Sequence, residues 1–236
     1  NTTSNLLPLA FGIVPKQYVD IIAKRVLYNT VPANTVSQIG TGDLNIGCGV
    51  IGIQFLLREL SKMGRADVAF ALASNNKYPS WGYMAANGAT TIWELWNGNT
   101  ADPRMNSGNH VMLLGDLLTW TYQNLGGIKS DYNKVAFKHI ILKPDFSIPD
   151  LEFVNALYET PYGKVVSNWK KNLMKLHWEI SIPVNTSAEI HLPNGKIQKI
   201  GSGMYTFDVD FPQNKAIVTN EFLYEKADFP QCHSAT

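Results

Sequence analysis

The residues best suited to chemistry lie between Tyr78 and Gly98. They read Tyr78-Pro79-Ser80-Trp81-Gly82-Tyr83-Met84, then Gly88-Ala89-Thr90-Thr91-Ile92-Trp93-Glu94-Leu95-Trp96-Asn97-Gly98. Glu94 is a carboxyl set between two tryptophans in a stretch flanked by glycines. A poorly hydrated aromatic setting disfavours a charged carboxylate, and such a setting can tune a glutamate toward general acid or base work. The same spacing also fits a glutamate on the solvent face of a helix with both indoles turned into the core. Spacing alone leaves the two open. Trp81, after Pro79-Ser80, is equally open between the wall of a binding pocket and a core position.

Helices must carry this stretch. Pro15 suits the first turn of a helix continued by Val19, Ile22, Val26 and Leu27. A second helix is expected from about Gly49 to Met63, with Val50, Ile53, Leu56, Leu57 and Leu60 on one face and Gly64 as its stop. Ala66, Ala69, Phe70 and Ala73 make a short third helix that ends before Pro79. A last one is expected from Asn109 to Leu125, stopping at Gly126-Gly127. Short links make such helices antiparallel neighbours, so an α/α toroid or solenoid is expected.

After about Val135 the period changes to that of strands. Lys164–Trp169 and Leu173–Ile180 flank Lys170-Lys171-Asn172 as a β-hairpin with a tryptophan near each strand. Ala188–Leu192 ends at the Pro193-Asn194-Gly195 turn, and Met204–Val209 follows Gly201-Ser202-Gly203. The expected class is α+β in two domains, with helical hairpins over residues 1–135 and an antiparallel β-sandwich over 136–236.

Composition narrows the possible partners. With 45% hydrophobic and 17% charged residues, the 236-residue chain suits a folded globular protein rather than a disordered one. Twenty basic and nineteen acidic residues give a net charge of +1, so neither a nucleic-acid face nor a polybasic membrane segment is expected. Cys48 and Cys232 stand near opposite ends and make neither a disulfide framework nor a metal-ligand spacing. No metal and no cofactor are expected. No apolar run nears the roughly 20 residues of a membrane span. The chain starts at Asn1 without a signal peptide, which is expected not to be a natural start. Its compartment therefore stays open.

The Gly88-Ala89-Thr90-Thr91-Ile92-Trp93-Glu94 run followed by Asn109-His110 resembles the signature of the glycoside hydrolase family 78 α-L-rhamnosidases. Supporting blocks are Gly40-Thr41-Gly42, Leu56–Leu60, Gly64–Asp67 and Gly126–Ile128. Pro161–Trp169 and Ile182–Thr186 are similar to the opening of that family's C-terminal sandwich, and the resemblance spans about residues 8–225. It implies an (α/α)6 barrel holding a terminal rhamnose, followed by a β-sandwich, and an inverting reaction. One carboxylic acid protonates the departing oxygen while a second carboxylate, roughly 6.5–9.5 Å away, activates water from the opposite face.

On the resemblance Glu94 is the general base, His110 lines the sugar pocket and Trp81 forms a wall of it. Trp93 and Trp96 are expected to support the Glu94 backbone. Asp43 is expected to cap a helix and Asp116 to face water or cap a neighbouring segment, while Asp102 could reach an aglycone sugar. No segment matches the acidic cluster that carries the family's general acid. The chain is therefore expected to hold half a toroid and to be inactive alone. It would either bind the missing N-terminal half or self-associate through its open edge. Another (α/α)-barrel glycosidase or lyase, a non-catalytic carbohydrate-binding protein and a structural α/α scaffold remain competing readings.

Overall fold

The computed structural model describes residues 1–30, 44–172 and 174–210. Gly40-Thr41-Gly42, Asp43 and Cys232 lie outside the described residues. Two compact units divide between Leu117 and Leu118.

In the first unit the helices are α1 (Thr2–Ala10), α2 (Lys16–Thr30), α3 (Ile53–Lys62), α4 (Ala66–Ala73) and α5 (Trp81–Ala86). Helix α1, which periodicity alone did not announce, starts with a reciprocal cap. Asn1 accepts from the Ser4 amide while the Ser4 side chain reaches back to the Asn1 backbone. Leu6 and Leu9 of α1 meet Ala23, Val26 and Leu27 of α2 as fully or almost fully buried residues.

Helix α3 buries Ile53, Leu56, Leu57 and Leu60 on one stripe, as expected from their spacing. It begins only at Ile53, after Gly49 and Gly52. Its end is closed by Gly64 in the left-handed region (φ 73°). There the Arg65 amide donates to Leu60 O at 2.9 Å and the Gly64 amide to Ser61 O at 3.0 Å. That pair of bonds satisfies carbonyls the helix would otherwise leave open and turns the chain directly into α4.

The single helix expected over 109–125 is instead broken. Val111–Leu114 form one 3-10 turn, α6 covers Leu117–Trp120, and Thr121–Leu125 form a π turn. The break sits at Gly115, whose φ of 61° and ψ of −133° no helix can contain. Asp116 is buried there rather than facing water. Its Oδ2 accepts from the Arg58 side chain at 2.9 Å and from the Arg58 amide at 3.3 Å, which ties the break to α3.

The second unit is a sandwich of two four-stranded sheets. One is ordered β1 (Ile128–Ser130), β2 (His139–Leu142), β6 (Ser187–His191), β7 (Ile197–Ile200). The other is ordered β3 (Phe153–Thr160), β4 (Gly163–Lys171), β5 (Lys175–Ile182), β8 (Gly203–Asp210). Pairing is antiparallel except between β2 and β6, which run parallel. The chain leaves the first sheet after β2, winds β3–β5 in the other, and re-enters beside β2 in the same direction.

Strand β5 alternates strictly over its first six residues and buries Leu176, Trp178, Ile180 and Ile182. Trp169 and Trp178 stand opposite each other in the hairpin, with Phe146 edge-on to both at 5.3 and 5.4 Å. Their indole N–H groups are satisfied by Leu125 O at 2.8 Å and Ser167 Oγ at 3.0 Å. A buried tryptophan needs such a partner.

Candidate active site

Glu94 lies in irregular chain, not on a helix. What holds it is a short pairing of two non-regular segments, 91–95 and 106–110. The Glu94 amide donates to Ser107 O at 2.9 Å, and the Ser107 amide returns a bond to Glu94 Oε2 at 2.9 Å. The His110 amide donates to Ile92 O at 2.7 Å. Thr91 Oγ1 bonds Asn109 Oδ1 at 3.0 Å, and Asn106 Oδ1 accepts from the Leu95 amide at 3.2 Å. One carboxylate oxygen is thus fixed by a backbone donor and the half-buried side chain is held against its neighbours. Glu94 and His110 sit on adjoining stretches of chain. The helix-face alternative for Glu94 does not describe this geometry.

Three indoles back the segment. Trp81 opens α5 after Ser80, whose hydroxyl caps the helix by accepting from the Tyr83 amide at 2.9 Å. The Trp81 ring is 8% exposed and its N–H donates to Leu113 O at 3.0 Å. It meets Trp96 edge-on at 5.4 Å, and the Trp96 N–H donates to Cys48 O at 2.9 Å. Trp93 packs on Gly98 so closely that a Cβ there would come within 2.7 Å of the indole. Trp93 and Trp96 therefore brace the backbone on either side of Glu94. Trp81 ties the same cluster to the turn that begins at His110.

The His110 side chain is half-buried, and its Nδ1 is buried without a hydrogen-bond partner among the described residues. A buried nitrogen left unpaired costs on the order of 1–3 kcal/mol. Asp116 Oδ1 is the other such atom. Burial raises the Asp116 carboxyl above its ordinary range, with Arg58 opposing that shift. Cys48, buried nearby, has its thiol pushed up to about 12 by burial and then by the Asp116 charge. Asp102 lies apart from these groups and is paired with Arg104 at 2.7 Å on the surface. Ser107 and Asn106 are supports that the sequence reading missed, and Asn109, singled out there only beside His110, is a third. The Asn106-Ser107-Gly108-Asn109 string is dense in turn-forming side chains, and that was the available signal.

Two open grooves, of about 480 and 590 Å³, are lined by other residues. The first lies along Asn5, Lys24, Arg25, Tyr28 and Asn29, and the second is on the sandwich. Among the described residues no group of three His, Cys, Asp or Glu side chains could hold a metal ion. No helix there is long and apolar enough to cross a membrane.

The sequence profile of the bacterial alpha-L-rhamnosidase 6 hairpin glycosidase domain matches residues 1–125. The chain belongs to the bacterial α-L-rhamnosidase family. The C-terminal domain profile of that family matches residues 127–214. An alpha-L-rhamnosidase of Formosa agariphila is 32% identical over 211 residues, which is 86% of this chain and 21% of the relative. One from Alteromonas sp. is 31% identical over 196 residues, 81% of this chain and 20% of the relative. The crystal structure of the Streptomyces avermitilis alpha-L-rhamnosidase complexed with L-rhamnose superposes with a TM-score of 0.76 at 25% identity, over 89% of this chain and 21% of that one. The chain spans about a fifth of the length of the relatives it matches. The expected class, helical hairpins followed by a β-sandwich, is the observed one.

Proposed function

We propose that this chain supplies the general base of an inverting hydrolysis that releases terminal α-L-rhamnose from glycosides or polysaccharides. The observation that carries the reading is the Glu94 carboxylate, half-buried and pinned through Oε2 to the Ser107 amide. A general base must keep its acceptor oxygen in one place, within hydrogen-bond reach of the water it activates. One oxygen is anchored here and the other is left to take the proton. His110, half-buried on the adjoining stretch, is the residue assigned to contact a sugar hydroxyl, through the part of its ring that is not buried. Trp81 has its N–H spent on Leu113 O. Its contribution to the wall is then the small exposed part of its ring.

The general acid comes from chain outside the matched fifth of the relatives, and so do the remaining walls of the pocket. General acid help is worth on the order of 10²–10⁴-fold, so these residues alone turn over little or no substrate. In a longer protein carrying this sequence, Glu94→Gln should cut release of nitrophenol from nitrophenyl α-L-rhamnoside by about 10²–10⁴-fold while leaving rhamnose binding in place. Retained turnover in that variant refutes the assignment. Full turnover by the 236-residue chain alone refutes the division of labour.

An incomplete barrel also leaves faces to cover. Tyr18, Ile21 and Tyr28 lie along one side of α2 and are 51%, 52% and 65% exposed. Such a stripe suits association with the rest of the enzyme or with a second copy. Monomeric light scattering without binding of an apolar-surface dye would count against it.

A further inference from the structure

The sandwich carries an open groove of about 590 Å³ that the reaction at Glu94 does not use. Its volume falls within the range of roughly 300–1,000 Å³ typical of ligand pockets. We propose that this groove is a non-catalytic binding site for a neutral, hydroxyl-rich ligand, namely a short saccharide.

The argument starts from the strand registers. His139 stands opposite Ser187, and Glu189 opposite Lys199. Ile140, Ala188 and Ile190 alternate with them into the core. The four polar side chains therefore share the outer face of the β1-β2-β6-β7 sheet, on rigid strands rather than on loops. The turn after β1 adds Asp131 and Lys134 to the same groove.

His139 Nδ1 is spent on Ser187 Oγ at 2.7 Å, which fixes the ring and leaves Nε2 to face a ligand. Glu189 Oε1 is held by His191 Nε2 at 2.8 Å, which leaves Oε2. Charge then selects the ligand. Two carboxylates, Asp131 and Glu189, oppose an anion, and two ammonium groups, Lys134 and Lys199, oppose a cation. The alternation of donors and acceptors matches a hydroxyl, which both donates and accepts. Tyr132, on the same turn between Asp131 and Lys134, is 83% exposed, and an exposed aromatic ring is a surface on which a sugar can stack.

The test uses the isotope-labelled whole chain, titrated separately with L-rhamnose, a rhamnosyl-glucose disaccharide, inorganic phosphate and calcium chloride, with amide shifts as the readout. At least one saccharide should shift the Ser187, Glu189 and Lys199 amides with a dissociation constant on the order of 1 mM. Glu189→Ala and Lys199→Ala should each weaken that by about tenfold or more, with the rest of the spectrum unchanged. Should either variant unfold, Tyr132→Ala and Lys134→Ala on the exposed turn serve in its place. Absence of saccharide shifts there overturns the proposal. So do shifts produced only by phosphate or only by calcium, or undiminished binding in the variants. Shifts confined to Thr91–His110 would support the Glu94 reading and overturn this one, so the two fail separately.

Discussion

Replacing Gly115 by alanine tests whether the turn that begins at His110 is held where the proposed chemistry needs it. Gly115 has φ 61° and ψ −133°, a region open almost solely to glycine, where any other residue costs about 1–3 kcal/mol. A Cβ built there would also lie 2.7 Å from Ile53 O and 2.9 Å from Ile53 C, both backbone atoms that open α3. Overpacking against a fixed neighbour adds about 1–3 kcal/mol. The two together come to about 4 kcal/mol, a large part of a typical domain's stability.

Gly64→Ala is the control. Gly64 has φ 73°, but a Cβ added to it would meet nothing within 4 Å, so only the left-handed penalty of about 1–2 kcal/mol applies. Both glycines lie in the first unit, so urea unfolding followed by helical circular dichroism reports on the same transition. With a slope of about 1–3 kcal/mol per molar urea, Gly115→Ala should lower the midpoint by about 2 M, and Gly64→Ala by less than half of that. Equal shifts for the two variants would show that Ile53 does not press on Gly115. The account of how α3 positions the His110 turn would then fail.

Other expectations are more local. Glu94→Gln should cut kcat of a longer parent protein by about 10²–10⁴-fold with KM little changed. Its amide oxygen can still accept from Ser107, so unchanged urea stability is the accompanying check. Cys48, with its thiol pushed up to about 12, stays protonated at ordinary pH. In a Cys232→Ser background it should resist a thiol reagent while folded and react fully in denaturant; rapid native labelling would contradict its burial. The Asp208 carboxylate at 2.7 Å raises the His177 pKa above its ordinary 6.5. The stabilisation from that pair is complete below the unfolded value and fades as pH rises through the folded one. The His177 ring should titrate above 6.5 by NMR and fall back toward it in Asp208→Asn.

Periodicity served the fold where burial is one-sided. The stripe of Ile53, Leu56, Leu57 and Leu60 announced α3, and the alternation through Leu176, Trp178 and Ile180 announced β5. It misled between Asn109 and Leu125, where Leu113, Leu114, Leu117 and Leu118 keep helical spacing across a residue that breaks the helix. An isolated glycine such as Gly115 does not by itself end a helical pattern. Its conformation is set by contact with Ile53, a residue 62 positions earlier, and local pattern contains no trace of that partner. Helix α1 was hidden for a related reason. Its Pro8 reads as a breaker, whereas the Asn1 cap and the packing of Leu6 and Leu9 carry it through.

The candidate site was legible as a string of residues and not as a geometry. Nothing periodic could place Glu94, since its segment is neither helix nor strand. The segment is held by hydrogen bonds exchanged between Glu94 and Ser107 and by one from the His110 amide to Ile92 O, which link positions 13 and 18 residues apart. Irregular backbone inside a folded unit has to find such partners, because each unpaired N–H or C=O would cost about as much as a lost hydrogen bond. The pairing of 91–95 with 106–110 therefore does two things at once. It satisfies a stretch that no helix or sheet can satisfy, and it fixes a carboxylate whose second oxygen stays available. A helix would have met the first need and turned Glu94 by the helical repeat instead. Irregular chain at this point leaves the carboxylate's direction to be set by the Ser107 backbone amide, so the turn that presents this amide, rather than the serine side chain, orients the proposed base.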